Sequence, residues 1–140
     1  TVLNHYRRDL PILVVDDDGD VRELLRRTLE EAGYTVIEAE NGQAALALLE
    51  QGLPGVILLD LMMPELDGFG VVSALRDRET WHDIPVIIIT AKELTEEERT
   101  WLNGSVVRIL EKGAPAREAL LSEVRELVAA SIGARRREDG

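Results

Sequence analysis

The stretch VILLDLMMPELDG, residues 56–68, decides the fold of this chain. Its first four residues are apolar and predict a strand that is buried on both faces. The run stops at the carboxylate of Asp60, and Pro64 and Gly68 mark a loop after it. An acidic residue at the carboxyl end of a central parallel strand lies where open α/β sheets bind ligands, but aspartate is also common as a simple turn cap. The stretch alone leaves both interpretations of Asp60 open.

Length and composition restrict the class of protein. With 140 residues, 45% hydrophobic and 31% charged, the chain fits one soluble globular domain. No apolar run approaches the roughly 18 residues of a membrane span, so we expect no membrane contact. The N-terminus lacks an apolar signal core and cysteine is absent, which together favour a cytoplasmic location. The net charge of −11 repels phosphate backbones, so we expect a cation or a protein partner and no direct nucleic-acid binding.

The chain alternates strand-like and helix-like segments five times. This alternation predicts a parallel sheet with helices on both faces. The first, third and fourth apolar runs contain few polar residues and belong at the centre of the sheet, whereas the second and fifth belong at its edges. The predicted fold is therefore α/β, a flavodoxin-like doubly wound (βα)5 arrangement with a five-stranded parallel sheet in the order 2-1-3-4-5. The strands are predicted at residues 11–15, 34–39, 56–59, 85–90 and 106–110.

Helix ends also follow sequence signals. Asp18 and Asn41 are predicted N-caps, and Thr95 with Glu98 forms a capping-box pattern. The chain begins with threonine, so we expect it to be a piece of a longer protein. The predicted division of the chain is a leader or linker at 1–10, one folded domain at 11–131 and a flexible tail at 132–140.

Several strands end on chemically active side chains. Asp16 and Asp17 follow the first strand, Asp60 the third, Thr90 ends the fourth and Lys112 follows the fifth. The carboxyl ends of parallel strands lie along one edge of the sheet, so these residues are expected to converge. Three carboxylates in a semi-buried site repel one another and must be partly protonated or hold a cation. Oxygen ligands without histidine or cysteine favour a hard ion such as Mg²⁺.

This set of residues is suited to phosphate chemistry. The Asp60 carboxylate could attack phosphorus and form an acyl phosphate. A metal and Lys112 would neutralise charge on the phosphoryl oxygens, and Thr90 could donate a hydrogen bond to the product. Each residue alone also fits an ordinary structural role, so the prediction rests on their combination.

These residues resemble the receiver domain of bacterial two-component response regulators. The resemblance implies a phosphoacceptor signalling module in a phosphorelay and not a metabolic enzyme, although the longer protein could carry kinase activity. It implies that Asp60 accepts a phosphoryl group from a sensor histidine kinase or phosphotransfer protein. The matching segments are residues 12–17, 58–64, 67–68 and 89–91, together with Lys112.

The resemblance also implies roles for the other site residues. Asp17, Asp60 and the backbone carbonyl of Met62 resemble the direct Mg²⁺ ligands of the family, and Asp16 would act through a metal-bound water. Thr90 resembles the switch hydroxyl and Lys112 the lysine that contacts the phosphoryl group. The face formed by the fourth helix, fifth strand and fifth helix would change conformation and is a possible homodimer surface.

Two positions depart from the family pattern. Ile109 stands where an aromatic residue is usual, and Gly113 follows the lysine where proline is usual. Transmission of the signal is therefore expected to differ. Residues 102–104 and 109–114 are also similar, more loosely, to receivers fused to hybrid histidine kinases.

A second interpretation comes from a different class of protein. The segment Asp16-Asp17-Asp18 after the first strand also resembles the start of a haloacid-dehalogenase-like phosphatase, in which Asp16 would be the nucleophile. Asp20 stands where that family expects threonine or valine, and no acidic pair follows the fourth strand. The sequence therefore favours the receiver.

Overall fold

The computed structural model describes residues 10–64, 66–112 and 117–139, with residues 117 and 133–139 described as backbone only. Its five strands form one parallel sheet in the order β2-β1-β3-β4-β5, which confirms the predicted fold. The strands are β1 (Ile12–Val15), β2 (Val36–Ala39), β3 (Val56–Leu59), β4 (Val86–Thr90) and β5 (Arg108–Glu111). The helices are α1 (Gly19–Glu31), α2 (Gly42–Gln51), α3 (Gly68–Asp77), α4 (Glu96–Asn103) and α5 (Arg117–Asp139).

The three central strands are buried on both faces. Successive side chains of a strand point to opposite faces, so each apolar run supplies two cores. Leu13, Ile57 and Ile88 belong to one core, which α2 and α3 cover. Their neighbours Ile12 and Leu58 belong to the other core, which α1 and α5 cover. No helix among the described residues is long and apolar enough to cross a bilayer.

The predicted helix caps are confirmed. Asp18 accepts hydrogen bonds from the amides at the start of α1, and Asn41 does so at the start of α2. Thr95 and Glu98 form both hydrogen bonds of the capping box of α4. These caps satisfy amides that a helix leaves unpaired at its N-terminus, and they fix the residue at which each helix begins.

The two edge strands begin two residues later than predicted. The amide of Tyr34 donates to the carbonyl of Leu29 at the end of α1, and the amide of Val106 donates to the carbonyl of Leu102 in α4. Each residue therefore belongs to the turn that closes the preceding helix. An apolar side chain does not distinguish this turn from the start of a strand.

The last helix is longer than predicted. It continues to Asp139, beyond the predicted end of the folded domain at residue 131. The flexibility predicted for residues 132–140 stays a prediction. Ile132 is buried in the core beside α1, and residues 134–138 are alanine, arginine and glutamate, which favour helix. Gly133 costs only about 1 kcal/mol relative to alanine and does not stop the helix. Apart from Leu10, the predicted leader lies outside the described residues, and the domain limits at 11 and 131 stay predictions.

Helix α4 is attached to α3 through an arginine–tryptophan contact. The guanidinium of Arg76 lies 4.1 Å from the centre of the Trp101 ring and also donates to the Trp101 carbonyl and the Ser105 hydroxyl. The ring of Phe69 lies 5.9 Å from that of Trp101, centre to centre. The C-terminal end of α4 is therefore fixed by stacking and by hydrogen bonds.

The capping box makes a testable contribution to acid stability. The hydrogen bond from the Thr95 amide, assisted by the Lys92 ammonium, lowers the pKa of Glu98 below its ordinary value. A lowered pKa in the folded state means that Glu98 stabilises the fold above its unfolded pKa and that this contribution is lost as pH falls through its folded pKa. In denaturant titrations at stepped pH, wild type should lose stability in this window relative to Glu98→Gln. A constant difference between the two proteins across that window would contradict the prediction.

Candidate functional site

The carboxyl edge of the sheet brings the predicted site residues together. Asp16 directly follows β1 and Asp60 follows β3, and the amide of Asp60 donates to the carbonyl of Val15 at 3.0 Å. Thr90 ends β4, and the amide of Lys112 donates to the Thr90 carbonyl at 2.8 Å. Neighbouring strands therefore end in register, and their terminal side chains lie along one rim.

Three carboxylates meet at this rim. Asp16, Asp17 and Asp60 each place a carboxylate oxygen within 4.8 Å of the others. Asp16 and Asp60 are only 2% and 4% exposed, whereas Asp17 is exposed. The donor set consists of oxygen alone, which is the set that Mg²⁺ prefers, and Mg²⁺ commonly uses one or two carboxylates and keeps several waters. The residues present therefore fit a magnesium ion.

Lys112 lies between the two buried carboxylates. Its ammonium nitrogen is 2.7 Å from Oδ2 of Asp16 and 3.4 Å from Oδ2 of Asp60. Burial lowers the pKa of Lys112, but the hydrogen bond to Asp16 and the charges of Asp16 and Asp60 outweigh it, so the pKa is raised overall. Burial raises the pKa of Asp16, and the hydrogen bond from Lys112 opposes this only in part. The lysine is thus a fixed positive charge at the site.

Backbone amides orient the same two carboxylates. The amide of Asp18 donates to Oδ1 of Asp16 at 2.9 Å, and the amide of Met62 donates to Oδ1 of Asp60 at 3.2 Å. One oxygen of each carboxylate is therefore held by the loop that follows its own strand, while the other faces Lys112. The role predicted for the carbonyl of Met62 stays a prediction.

Thr90 is linked to the site through the backbone of Lys112. Its side chain is fully buried, and its hydroxyl accepts a hydrogen bond from the amide of Lys92 at 3.1 Å. Among the residues that the structure describes, this hydroxyl makes no hydrogen bond to the three carboxylates. The Lys92 ammonium in turn pairs with Glu98 of the α4 capping box at 3.3 Å. Thr90 therefore joins the rim of the sheet to α4.

A shallow cleft of about 470 Å³ opens beside the acidic cluster. Its lining includes Asp17, Lys92 and the exposed side chain of Met62. Of the three carboxylates, the exposed one of Asp17 lines this cleft. Lys92 was not identified from the sequence, because it belongs to no motif and its position two residues after Thr90 is its only distinguishing feature.

Of the two departures from the family pattern, the structure describes Ile109. Ile109 is partly buried in β5 and packs against the core that α2 and α3 cover. It thus fills an apolar space as an ordinary sheet residue. Gly113 lies outside the described residues.

Gly68 allows the loop after Asp60 to fold close to the strand. A Cβ atom at this position would lie 2.5 Å from the carbonyl oxygen of Asp60 and 2.6 Å from Cα of Leu61. Backbone atoms cannot move away as the end of a flexible side chain can. The first turn of α3 therefore requires glycine here to approach the residue that carries the buried carboxylate.

Comparisons with known proteins agree with this geometry. Residues 12–125 match the family model of the response regulator receiver domain. Response regulator MprA of Mycolicibacterium vanbaalenii is 42% identical over 117 residues, which cover 84% of this chain and 49% of that protein. The chain thus spans about half the length of the MprA response regulators that it matches.

Solved structures show the same fold. The N-terminal domain of a response regulator receiver protein from Methanoculleus marisnigri has a TM-score of 0.69 at 34% identity, covering 85% of this chain and 95% of that chain. The signal receiver domain of a signal transduction histidine kinase from Syntrophus aciditrophicus has a TM-score of 0.73 at 29% identity, covering 86% of this chain and 91% of that one.

Replacement of Gly68 tests the close approach of this loop. Gly68→Ala should destabilise the fold by about 1–3 kcal/mol, because the added methyl group overlaps backbone atoms. Gly104→Ala is the matched control, since nothing lies within 4 Å of a Cβ atom there and its φ of −83° suits alanine. Denaturant titrations would measure both variants. Equal stability of the two would contradict the prediction.

Proposed function

The chain belongs to the family of response regulator receiver domains, and on that basis we propose that Asp60 is the residue that accepts the phosphoryl group. Receiver domains of this family act in two-component phosphoacceptor signalling and interact with histidine kinases or phosphotransfer proteins. The observation that carries the proposal is the position of Lys112 between Asp16 and Asp60, beside the exposed carboxylate of Asp17. The site combines a carboxylate nucleophile with a fixed positive charge.

The proposed reaction uses an oxygen of the Asp60 carboxylate as the nucleophile. A bond forms between this oxygen and phosphorus, and the bond from phosphorus to the donor nitrogen breaks, so that the histidine keeps the electron pair. Lys112 neutralises charge on the phosphoryl oxygens, and its raised pKa keeps it protonated. The amide of Met62 holds Asp60 in one orientation before the reaction.

We propose Mg²⁺ as the cofactor of this site. Asp17, Asp60 and the carbonyl of Met62 are the proposed direct ligands, and Asp16 is proposed to act through a metal-bound water. Asp16 suits this outer role, because its Oδ2 lies 2.7 Å from the Lys112 ammonium, whereas Oδ2 of Asp60 lies 3.4 Å away. When bound, the ion supplies positive charge beside the transferring phosphoryl group.

Thr90 is the proposed switch. Its hydroxyl accepts a hydrogen bond from Lys92 and still has a hydrogen to donate. A phosphoryl dianion on Asp60 is a strong acceptor that would draw this hydroxyl toward itself. Because Lys92 pairs with Glu98, movement of Thr90 and its loop would reach the start of α4.

The phosphatase alternative has no support. The family match and the relatives are response regulator receivers. The proposed domain is thus a phosphoacceptor and no classical enzyme.

The setting of the domain in a longer protein is proposed from its relatives. Response regulator MprA, at 42% identity, favours a response regulator. The proposed location is the cytoplasm. A hybrid histidine kinase stays a prediction, supported by the sequence similarity of residues 102–104 and 109–114 and by the likeness to the Syntrophus aciditrophicus receiver. Neither setting requires nucleic-acid or membrane contact by this domain.

The face formed by α4, β5 and α5 is the proposed homodimer surface. Ion pairs join its elements, from Arg99 to Glu111 at 3.2 Å and from Arg108 to Glu123 at 3.1 Å. Val107, just before β5, is 49% exposed and offers apolar area at this edge of the sheet. A change at Thr90 would reach this face through α4.

Phosphorylation can be tested with acetyl phosphate and Mg²⁺. Intact-mass measurement should show one phosphoryl group on wild type and none on Asp60→Asn, because an amide is not a nucleophile for this reaction. Asp67→Asn is the matched control, since Asp67 lines the cleft beside the acidic cluster and asparagine also caps a helix. Phosphate turnover that depends on Asp16 and persists in Asp60→Asn would overturn the receiver mechanism.

The dimer surface can be tested by light scattering. Wild type should dimerise on phosphorylation, whereas Val107→Glu should remain monomeric, because a charge would then be buried in the interface. Leu53→Glu is the control, as Leu53 is similarly exposed at 38% but lies in the loop after α2. A phosphorylated wild type that stays monomeric, or a dimer unaffected by Val107→Glu, would exclude this surface.

A further inference from the structure

Every polar group of Asp16 has a partner. Its amide donates to the carbonyl of Ala39 at 3.2 Å, and its two carboxylate oxygens accept from Asp18 and Lys112. Its backbone carbonyl accepts a hydrogen bond from Nη1 of Arg22 at 2.7 Å. The first three contacts come from the sheet or from the site itself. The fourth contact comes from Arg22 in α1, a residue with no role in the proposed reaction.

Arg22 is itself held in place. Its Nε lies 3.2 Å from Oε1 of Glu38 in β2, and Nε of Arg26 lies 3.2 Å from Oε2 of the same carboxylate. The side chain of Arg22 is only 19% exposed. The Glu38 carboxylate thus accepts a hydrogen bond from Arg22 and forms an ion pair with Arg26. A second nitrogen of Arg22 contacts the loop after β1.

The side chain of Asp17, the exposed acid of the cluster, is not oriented by hydrogen bonds of this kind within the described residues. Within the described part of the chain, the carboxylate of Asp17 makes no hydrogen bond or ion pair. Its direction therefore depends on the backbone that carries it. The carbonyl of Asp16 belongs to the planar peptide unit that leads into Asp17, so a donor that fixes this carbonyl also fixes that plane.

We propose that Arg22 is a positioning residue for the cation site, which holds the peptide unit between Asp16 and Asp17 so that the Asp17 carboxylate points toward Asp60. The proposal rests on the proposed function of this site. A hydrogen bond from a charged donor is stronger than one between neutral groups, and a planar guanidinium can contact the carbonyl and Glu38 together. Glu38 contributes indirectly, because it orients the guanidinium of Arg22.

Mg²⁺ affinity, measured by isothermal titration calorimetry on the unphosphorylated protein, tests this role. Arg22→Ala should bind Mg²⁺ about tenfold more weakly, which is the usual effect of losing a group that supports a metal ligand. Arg22→Lys should fall between wild type and Arg22→Ala, because one ammonium cannot keep both contacts. Glu38→Ala should weaken binding less than Arg22→Ala does, since the hydrogen bond to Asp16 remains.

Arg27→Ala is the matched control on the same helix. Arg27 is 69% exposed and pairs only with Glu23 among the described residues, so its removal should leave Mg²⁺ affinity unchanged. Thermal unfolding of each variant separates support of the fold from support of the site. A variant Arg22→Ala that is less stable but binds Mg²⁺ as well as wild type would overturn the proposal.

A metal-free measurement separates this proposal from the proposed function. Hydrogen exchange at the Asp18 amide, which donates to Oδ1 of Asp16, should be faster in Arg22→Ala than in wild type, while exchange in β3 and β4 stays the same. If wild type binds no Mg²⁺, the proposed cation site is wrong. Hydrogen exchange at the Asp18 amide then still tests whether Arg22 holds the loop after β1. Unchanged exchange at Asp18 would overturn that role.

Discussion

The structure depends on one electrostatic constraint, the burial of two carboxylates beside each other at the end of a parallel sheet. Two negative charges in such surroundings repel strongly, and each also loses hydration. Lys112 meets this constraint by placing one ammonium against both Asp16 and Asp60, and backbone amides hold the remaining oxygens. The same arrangement leaves Asp17 exposed, so that negative charge remains in excess at the rim. The proposed Mg²⁺ would neutralise this excess.

The fold supplies the positions that this constraint demands. Parallel strands in register bring the ends of β1, β3 and β5 to one rim, and the apolar sequences of the central strands keep that rim rigid. Gly68 lets α3 begin directly against the Asp60 carbonyl. Arg22 reaches from α1 to the loop that carries the other two acids. Elements on both faces of the sheet therefore contribute to one small site.

The sequence predicted the sheet order and the convergence of the site residues, because both depend on signals that repeat at the end of each strand. Apolar runs of strand length end on acids, a threonine or a lysine, and the rules of parallel sheets bring those ends together. The start of β2 and the end of α5 were predicted less well. Tyr34 is apolar enough for a strand, and Gly133 suggests a helix end, but hydrogen bonding by the preceding helix and the burial of Ile132 decide the outcome. Arg22 was not identified, because its contact with the Asp16 carbonyl is formed between elements and has no sequence signature.

The stacking of Arg76 on Trp101 has a practical consequence for spectroscopy. The chain has two tryptophans, and Trp81 is only 4% exposed while Trp101 is 37% exposed. Indole emission responds to nearby charge and to water, and Trp101 carries both an arginine and solvent at its ring. A displacement of α4 would change the emission of Trp101 and leave that of buried Trp81 as an internal reference. The protein therefore contains an intrinsic fluorescent reporter for the proposed movement of α4, without any added label.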